Sequence, residues 1–336
     1  MKSKDFLYFA PVLAAFLFSC EKEIKFSGDE VKTKLVLNGL LTPDSIVKIN
    51  LTESRFFLDN DEFIKKVDNA TAILWKDGNK IETLSNAGKG YYAGTYLPKT
   101  GDNLRITASC DGFDPVECST EIVASSSIIS VDTLNIMEDR MYTYYQMSED
   151  GIYSVDSSSY YLNTRFDLDI TFKDTKDIPN YYNIKIYMKY YFPTGDSVCL
   201  SFIYKSDDLV FQRGNNGIGF LEDIDYLKTA YFNDELFDGK EYKLKVKASN
   251  WGDIFIGKHS VFPEEENPEP VGKKIIVELQ SLSYPYYLYL KTREANGNMS
   301  KLLESFSEPV QIFSNVKGGI GILGSYSSSV YTITLK

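Results

Sequence analysis

From residue 34 onward this chain repeats one pattern: apolar residues at every second position, in short runs cut off by turn residues. A period of two places alternate side chains on opposite faces of an extended strand, so each run can bury one face and wet the other. Residues 34–39 (Lys-Leu-Val-Leu-Asn-Gly) predict a strand, and after a turn at Thr42-Pro43-Asp44 the run 45–53, with Ile46, Val47, Ile49 and Leu51, predicts the returning one. Residues 69–75 lead into Lys76-Asp77-Gly78-Asn79, a hairpin turn whose partner strand is 81–84. Residues 103–109 and 116–123 pair around Gly112. Short strands at intervals of about 8–12 residues predict a β-sandwich of immunoglobulin or prealbumin-like shape over residues 31–124.

Ser125-Ser126-Ser127 marks a boundary, and residues 125–336 read as a larger β-rich domain. Alternation predicts strands at 128–134, 161–172, 181–192, 198–204, 242–248 and 274–279, with a last one at 330–335. Residues 137–160 are rich in Tyr and Ser and lack the period of a strand, so they read as a long excursion. One helix is expected near 283–296: Ser283 caps it, Pro285 sits in the first turn, and Asn296-Gly297 ends it. With 25 Tyr and 21 Phe, the chain favours strands over helices elsewhere. The fold class is therefore mostly β, with one helix in the C-terminal region.

The N-terminus has a different character. Lys2 and Lys4 precede an apolar run over residues 6–18, which ends in Leu17-Phe18-Ser19-Cys20. A spanning helix needs roughly 20 apolar residues, and this run is shorter. It reads as a signal peptide, residues 1–19, cleaved before a Cys20 that then carries lipid. Residues 20–30 are polar and charged and form a tether. Two or more acyl chains anchor a protein stably where one does so only marginally. Loss of residues 1–19 removes Lys2, Lys4 and Asp5 and moves the formal charge from −11 to −12. That balance excludes nucleic acid as a natural partner, because phosphate backbones need Lys and Arg.

The residues that could carry chemistry are few. His259 is the sole histidine, so a multi-histidine metal site is excluded and a Ser-His-Asp triad would hang on one loop residue. The cysteines form no CxxC pair. Cys110 and Cys118 flank a turn, and their spacing allows a disulfide in an exported protein; the alternative is two reduced thiols whose strand register misses pairing. Gly318, Gly319, Gly321 and Gly324 lack the lysine of a nucleotide loop and alternate with β-prone residues, which points to close strand packing. Acidic runs at 59–62, 207–208, 223–225 and 264–266 lack the spaced pattern of a calcium loop. No catalytic residue, metal ligand or cofactor is assigned. The candidate contact residues for a ligand or partner are Tyr142, Tyr144, Tyr145 and Tyr160, because exposed Tyr presents a large rigid surface at low entropic cost.

Four segments carry a family resemblance: Cys20-Glu21-Lys22-Glu23-Ile24 followed by the strand at 34–39; the hairpin Ala72-Ile73-Leu74-Trp75-Lys76-Asp77-Gly78; Asp234-Glu235-Leu236-Phe237-Asp238-Gly239-Lys240-Glu241 with Val277-Glu278-Leu279-Gln280-Ser281-Leu282-Ser283; and Glu308-Pro309-Val310-Gln311-Ile312-Phe313-Ser314-Asn315-Val316 with its glycine-rich tail. Together they resemble a domain-of-unknown-function group of Bacteroidota outer-membrane lipoproteins, often encoded beside TonB-dependent receptors. The resemblance implies a non-enzymatic accessory that binds a ligand or docks on an outer-membrane β-barrel receptor, and it implies no catalytic residues. Acidic residues after Cys20 look like a surface-export signal, with Lys22 interrupting them, so either leaflet stays open. A surface hydrolase of glycans or peptides and a structural adhesin are the alternative readings.

Overall fold

The computed structural model describes residues 32–55, 64–147, 153–211, 230–250, 254–258, 266–299 and 311–335. The leader, Cys20, the tether, His259 and the acidic runs at 59–62 and 223–225 lie outside them.

Seven strands make the N-terminal half: β1 (Leu35–Leu41), β2 (Lys48–Glu53), β3 (Thr71–Lys76), β4 (Asn79–Gly88), β5 (Tyr91–Ala93), β6 (Asn103–Ser109) and β7 (Val116–Glu121). They pair in the order β1-β2-β5-β4-β3-β6-β7. The turn between β3 and β4 has Asp77 and Gly78 both at positive φ, as a tight hairpin requires. Strand β4 serves two neighbours, since residues 79–84 pair with β3 and residues 85–88 with β5. It therefore carries the ladder around a corner, and both flanking layers aim their apolar faces at one core. Leu37 and Leu51 from one side and Leu74 and Ile106 from the other are fully buried in it.

The C-terminal half comprises β8 (Ile128–Met147), β9 (Tyr153–Lys173), β10 (Tyr181–Tyr191), β11 (Ser197–Ser201), β12 (Ile203–Lys205), β13 (Ala230–Asn233), β14 (Glu241–Ser249), β15 (Ile254–Lys258), β16 (Glu266–Asn267), β17 (Gly272–Leu282), the helix α1 (Tyr284–Met299) and β18 (Ile320–Leu335). One sheet runs β12-β14-β9-β15-β16 with β8 on the other side of β9, and it packs against β11-β10-β17-β18. The chain changes sheets at buried Phe202, between β11 and β12, within what reads in sequence as one strand. Alternation on β9, β10 and β17 delivers Phe166, Ile170, Ile184, Met188 and Val277 to a second core. The abundance of Phe and Tyr is used here. Phe172 meets Tyr182, Phe237 and Tyr242 with ring centroids 5.3, 5.6 and 6.1 Å away, and such pairs add about 0.5–1.5 kcal/mol beyond burial.

Among the described residues the protein is thus mostly β with one α-helix, as its pattern predicts. Each region read from the sequence has its own core, but the boundary near residue 124 is crossed by the end of the chain. Residues 320–325 of β18 run parallel to β1, and residues 326–335 run antiparallel to β17, so one sheet spans both cores and residues Thr33–Lys336 form one unit. Val316 and Leu323 belong to the N-terminal core, whereas Tyr331 and Ile333 pack on the other.

The sequence misleads at two places. Residues 137–147 and 153–160 are not an irregular excursion: β8 and β9 pair there as long antiparallel strands, and 148–152 lie outside the described residues. Both faces of β8 are largely exposed there, so no apolar period appears. Helix α1 begins where expected, but Ser283 does not cap it through its side chain. Its carbonyl accepts the first helical bond from Tyr287 N–H, while its Oγ accepts from Ser325 N–H at 2.9 Å and ties the helix start to β18.

The glycine-rich tail is close packing. A Cβ on Gly321 would lie 2.0 Å from the Leu37 carbonyl oxygen, and its φ is +125°; a Cβ on Gly324 would lie 2.7 Å from Tyr286 Cβ. Gly321→Ala is expected to lower unfolding free energy by at least about 1–3 kcal/mol from backbone strain alone, before the clash is added. Denaturant unfolding of variant and parent measures it, and an unchanged midpoint would refute the tight β1–β18 contact.

Candidate functional site

Alternation along β8 places Glu138, Arg140 and Tyr142 on the face toward the second core, and Met137, Asp139 and Met141 on the other. Register sets Tyr142 opposite Tyr160, Arg140 opposite Leu162 and Glu138 opposite Thr164. The two tyrosines meet edge to face with centroids 5.8 Å apart. The Arg140 guanidinium lies 4.7 Å above the Tyr160 ring and 3.0 Å from Glu269, whose carboxylate also accepts the Tyr160 O–H. Lys273, at the start of β17, bonds Glu138 at 2.5 Å. Glu138, Arg140, Tyr160, Glu269 and Lys273, with Leu162 and Pro270, line a cavity of about 200 Å³ at the foot of the hairpin.

Of the tyrosines expected to make contacts, the structure brings Tyr142 and Tyr160 together. Tyr160 is buried, and burial followed by its bond to Glu269 pushes its phenol up to about 12. It is thus a packed, tethered residue and offers no open stacking face. Tyr142 remains exposed. Tyr144 lies opposite Val155 in the hairpin backbone and Tyr145 follows it; their side chains are outside the described set. Beyond Tyr160 toward the tip, β9 pairs only with β8 among the described residues, so the two strands leave the sheet as an arm. Sequence reasoning missed Glu138, Arg140, Glu269 and Lys273. Glu138, Asp139 and Arg140 are consecutive charges, so no alternation of charge in the sequence singles out the inward pair.

On the outer face of this sheet two adjoining grooves, about 380 and 310 Å³, share Asp167, Lys205 and Lys247. Leu134 and Met137 of β8 edge them. Asn135, at a positive φ, donates to Asp167 at 2.8 Å and fixes the local bend of β8.

A second cluster joins two distant turns. Carboxylate oxygens of Asp174, Asp234 and Asp238 lie within 4.8 Å of one another, the first two buried. Oxygen sets of this kind suit hard cations. Each carboxylate already has a protein donor, however. Tyr182 O–H and Gly239 N–H serve Asp174, Asn180 N–H serves Asp234 at 2.8 Å, and Asp177 N–H serves Asp238 at 2.9 Å. Burial raises the Asp174 carboxyl, with the Asp234 charge adding to it and the donated bonds opposing it. The cluster closes turns, and no sequence spacing could announce it, since Asp174 and Asp234 meet only in the fold.

Cys110 and Cys118 are not bridged. The β6–β7 register sets Cys118 opposite Ile106, while Cys110 lies four residues further along β6's direction, about 13 Å at 3.3 Å per residue. A disulfide needs Cα atoms about 6 Å apart. Cys110 donates instead to Asn69 at 3.2 Å, and burial pushes the Cys118 thiol up to about 12.

A mostly β protein with two cores joined by one strand and a protruding arm is the class these features define. Residues 21–332 match the family described as Domain of unknown function (DUF4249), and the chain belongs to that family. No curated protein matches it at a significant level.

Two outcomes follow from these groups. A raised Asp174 pKa means that the folded state favours the protonated acid, so its stabilisation is complete below about pH 4 and is lost as pH rises through the raised value. Asp174→Asn keeps an acceptor without the charge and is expected to flatten the fall of melting temperature above that point; an identical slope in both proteins would contradict it. Native thiol labelling should modify exposed Cys199 first and Cys118 only on unfolding, as read by mass spectrometry of the labelled peptides.

Proposed function

We propose that this protein is a lipid-anchored, non-enzymatic accessory of a Bacteroidota outer membrane, docking through its β8–β9 arm on a TonB-dependent β-barrel receptor. The observation that carries this reading is the β8–β9 hairpin: its strands leave the sheet beyond Tyr160, and exposed Leu134, Ile136, Met137 and Met141 lie along β8 at its base, where it still edges the sheet. Contiguous exposed apolar side chains of this kind are a feature of interaction surfaces. The leader ending at Cys20 supports attachment through lipid, and among the described residues no helix is long and apolar enough to cross a membrane. A glycan hydrolase would need two carboxyl groups facing an open cleft. Asp174 and Asp234 are buried and bound to protein donors, so this pair does not face a cleft. The acidic residues after Cys20 support placement at the cell surface, and protease accessibility on intact cells separates that leaflet from the periplasmic one.

Cys20→Ala is expected to abolish palmitate labelling and to move the protein from the membrane to the soluble fraction. Affinity purification of the unmutated protein from native outer membranes should recover a TonB-dependent β-barrel. Retention of the variant in membranes would sink the anchor, and repeated purification without a β-barrel would sink the docking.

A further inference from the structure

We infer that the protein associates with a second copy of itself through the open edge of β11, the two strands pairing antiparallel about a two-fold axis at Cys199. Strand β11 ends the large sheet, and among the described residues it pairs with β10 alone. The phase of that ladder is fixed at both ends. Phe192 N–H donates to the Asp196 carbonyl at 3.0 Å, and Phe202 N–H donates to the Ile186 carbonyl at 2.8 Å. Every second pair of an antiparallel ladder exchanges such bonds, so Val198 and Leu200 turn their backbone groups to Tyr190 and Met188. Ser197, Cys199 and Ser201 therefore turn theirs to the open edge, and no turn or loop backbone among the described residues meets them there.

These free groups are centred on Cys199. A two-fold axis perpendicular to the sheet at this residue sets Cys199 opposite its symmetry mate and Ser197 opposite the mate of Ser201. Each is then a hydrogen-bonded pair, and every free N–H and C=O of the edge finds a partner. Sliding the register by two residues leaves Ser197 or Ser201 unpaired. Sliding it by one sets free groups against groups already bonded to β10.

The side chains agree with the same register. Val198 and Leu200 lie on the face toward the second core, since their β10 partners Tyr190 and Met188 are buried in it. Leu200 packs against that core, yet Val198 is 42% exposed. The axis sets Val198 beside the mate of Leu200, apolar against apolar, and on the other face Ser197 beside the mate of Ser201. Natural edges are guarded by charge, and like charges directly opposite destabilise a strand pair. Residues 197–201 hold no charge at all, so no opposition arises in this register. Another protein's strand could bond the same backbone groups, but this chain itself supplies the strand that matches them and their side chains together. The turn at residues 193–196 and the change of sheet at Phe202 confine the edge to these residues, and the two-fold pairing consumes both edges, so association stops at two copies.

The inference goes beyond the docking reading: it uses the opposite sheet and needs neither receptor nor anchor. Its test is sedimentation of the full-length protein in mild detergent over a range of concentrations, with reductant throughout to keep disulfides out of the result. The unmutated protein should show a monomer–dimer equilibrium. Cys199→Lys and Cys199→Glu each set like charges face to face at the axis. Each alone should weaken dimerisation about fivefold or more at an unchanged melting temperature, and an equal mixture of the two should restore it. Ser197→Lys with Ser201→Glu in one chain sets Lys opposite Glu twice and should tighten the dimer, which keeps the proposal testable if the Cys199 variants misfold. A monomer at every concentration, growth past the dimer, or variants that dimerise like the parent overturns it. Loss in both Cys199 variants without recovery on mixing also overturns it, because the axis then lies elsewhere or the edge serves a different strand.

Discussion

The architecture depends on one strand with two unlike neighbours. The first residues of β18 lie beside β1 in parallel, and the rest lie beside β17 in antiparallel fashion. Where β18 enters beside β1, Gly319 and Gly321 have no room for a Cβ, with Leu35 and Leu37 carbonyl oxygens 2.3 and 2.0 Å from where it would sit. The same strand then fixes the rest. Asn315 holds its entry by bonding Leu323 on both backbone groups, Ser325 N–H reaches Ser283, and Gly324 leaves space for Tyr286 of the helix. Without these contacts the two cores would be separate sandwiches linked by a short connector.

Strands that bury one face were legible in the sequence. The runs read at 181–192, 242–248 and 274–279 correspond to Tyr181–Tyr191, Glu241–Ser249 and Gly272–Leu282. Alternation is a signature of a two-sided environment, so it fails where both sides resemble each other. On β8 near Met137, both faces are exposed and the apolar period vanishes. Cysteine spacing failed for a different reason. Separation in sequence does not set register, and the β6–β7 register puts Cys118 across from Ile106. Helix position was legible from Ser283 and Pro285, but the side-chain partner of Ser283 was not, because Ser325 approaches only through the crossover of β18.

The foot of the arm was half legible. Tyr142 and Tyr160 stood out by composition and do meet, yet what holds them is ionic. Arg140 bridges the Tyr160 ring and Glu269, and Lys273 draws Glu138 toward β17. These links run from β8 to segments more than a hundred residues away, so no local window contains them. They fix the foot of the arm against the sheet.

The pairing of Val36 with Ile320 also orders events in time. A core that needs its closing strand from the far end of the fold cannot be completed before that strand has been made. Until residues 320–325 arrive, β1 presents a bare parallel edge and the slots for Val316 and Leu323 stand open to water. Pairings this distant in sequence close slowly and expose apolar surface meanwhile. The N-terminal core is therefore completed only when residues 316–325 arrive, and its most vulnerable interval is the one before that strand docks.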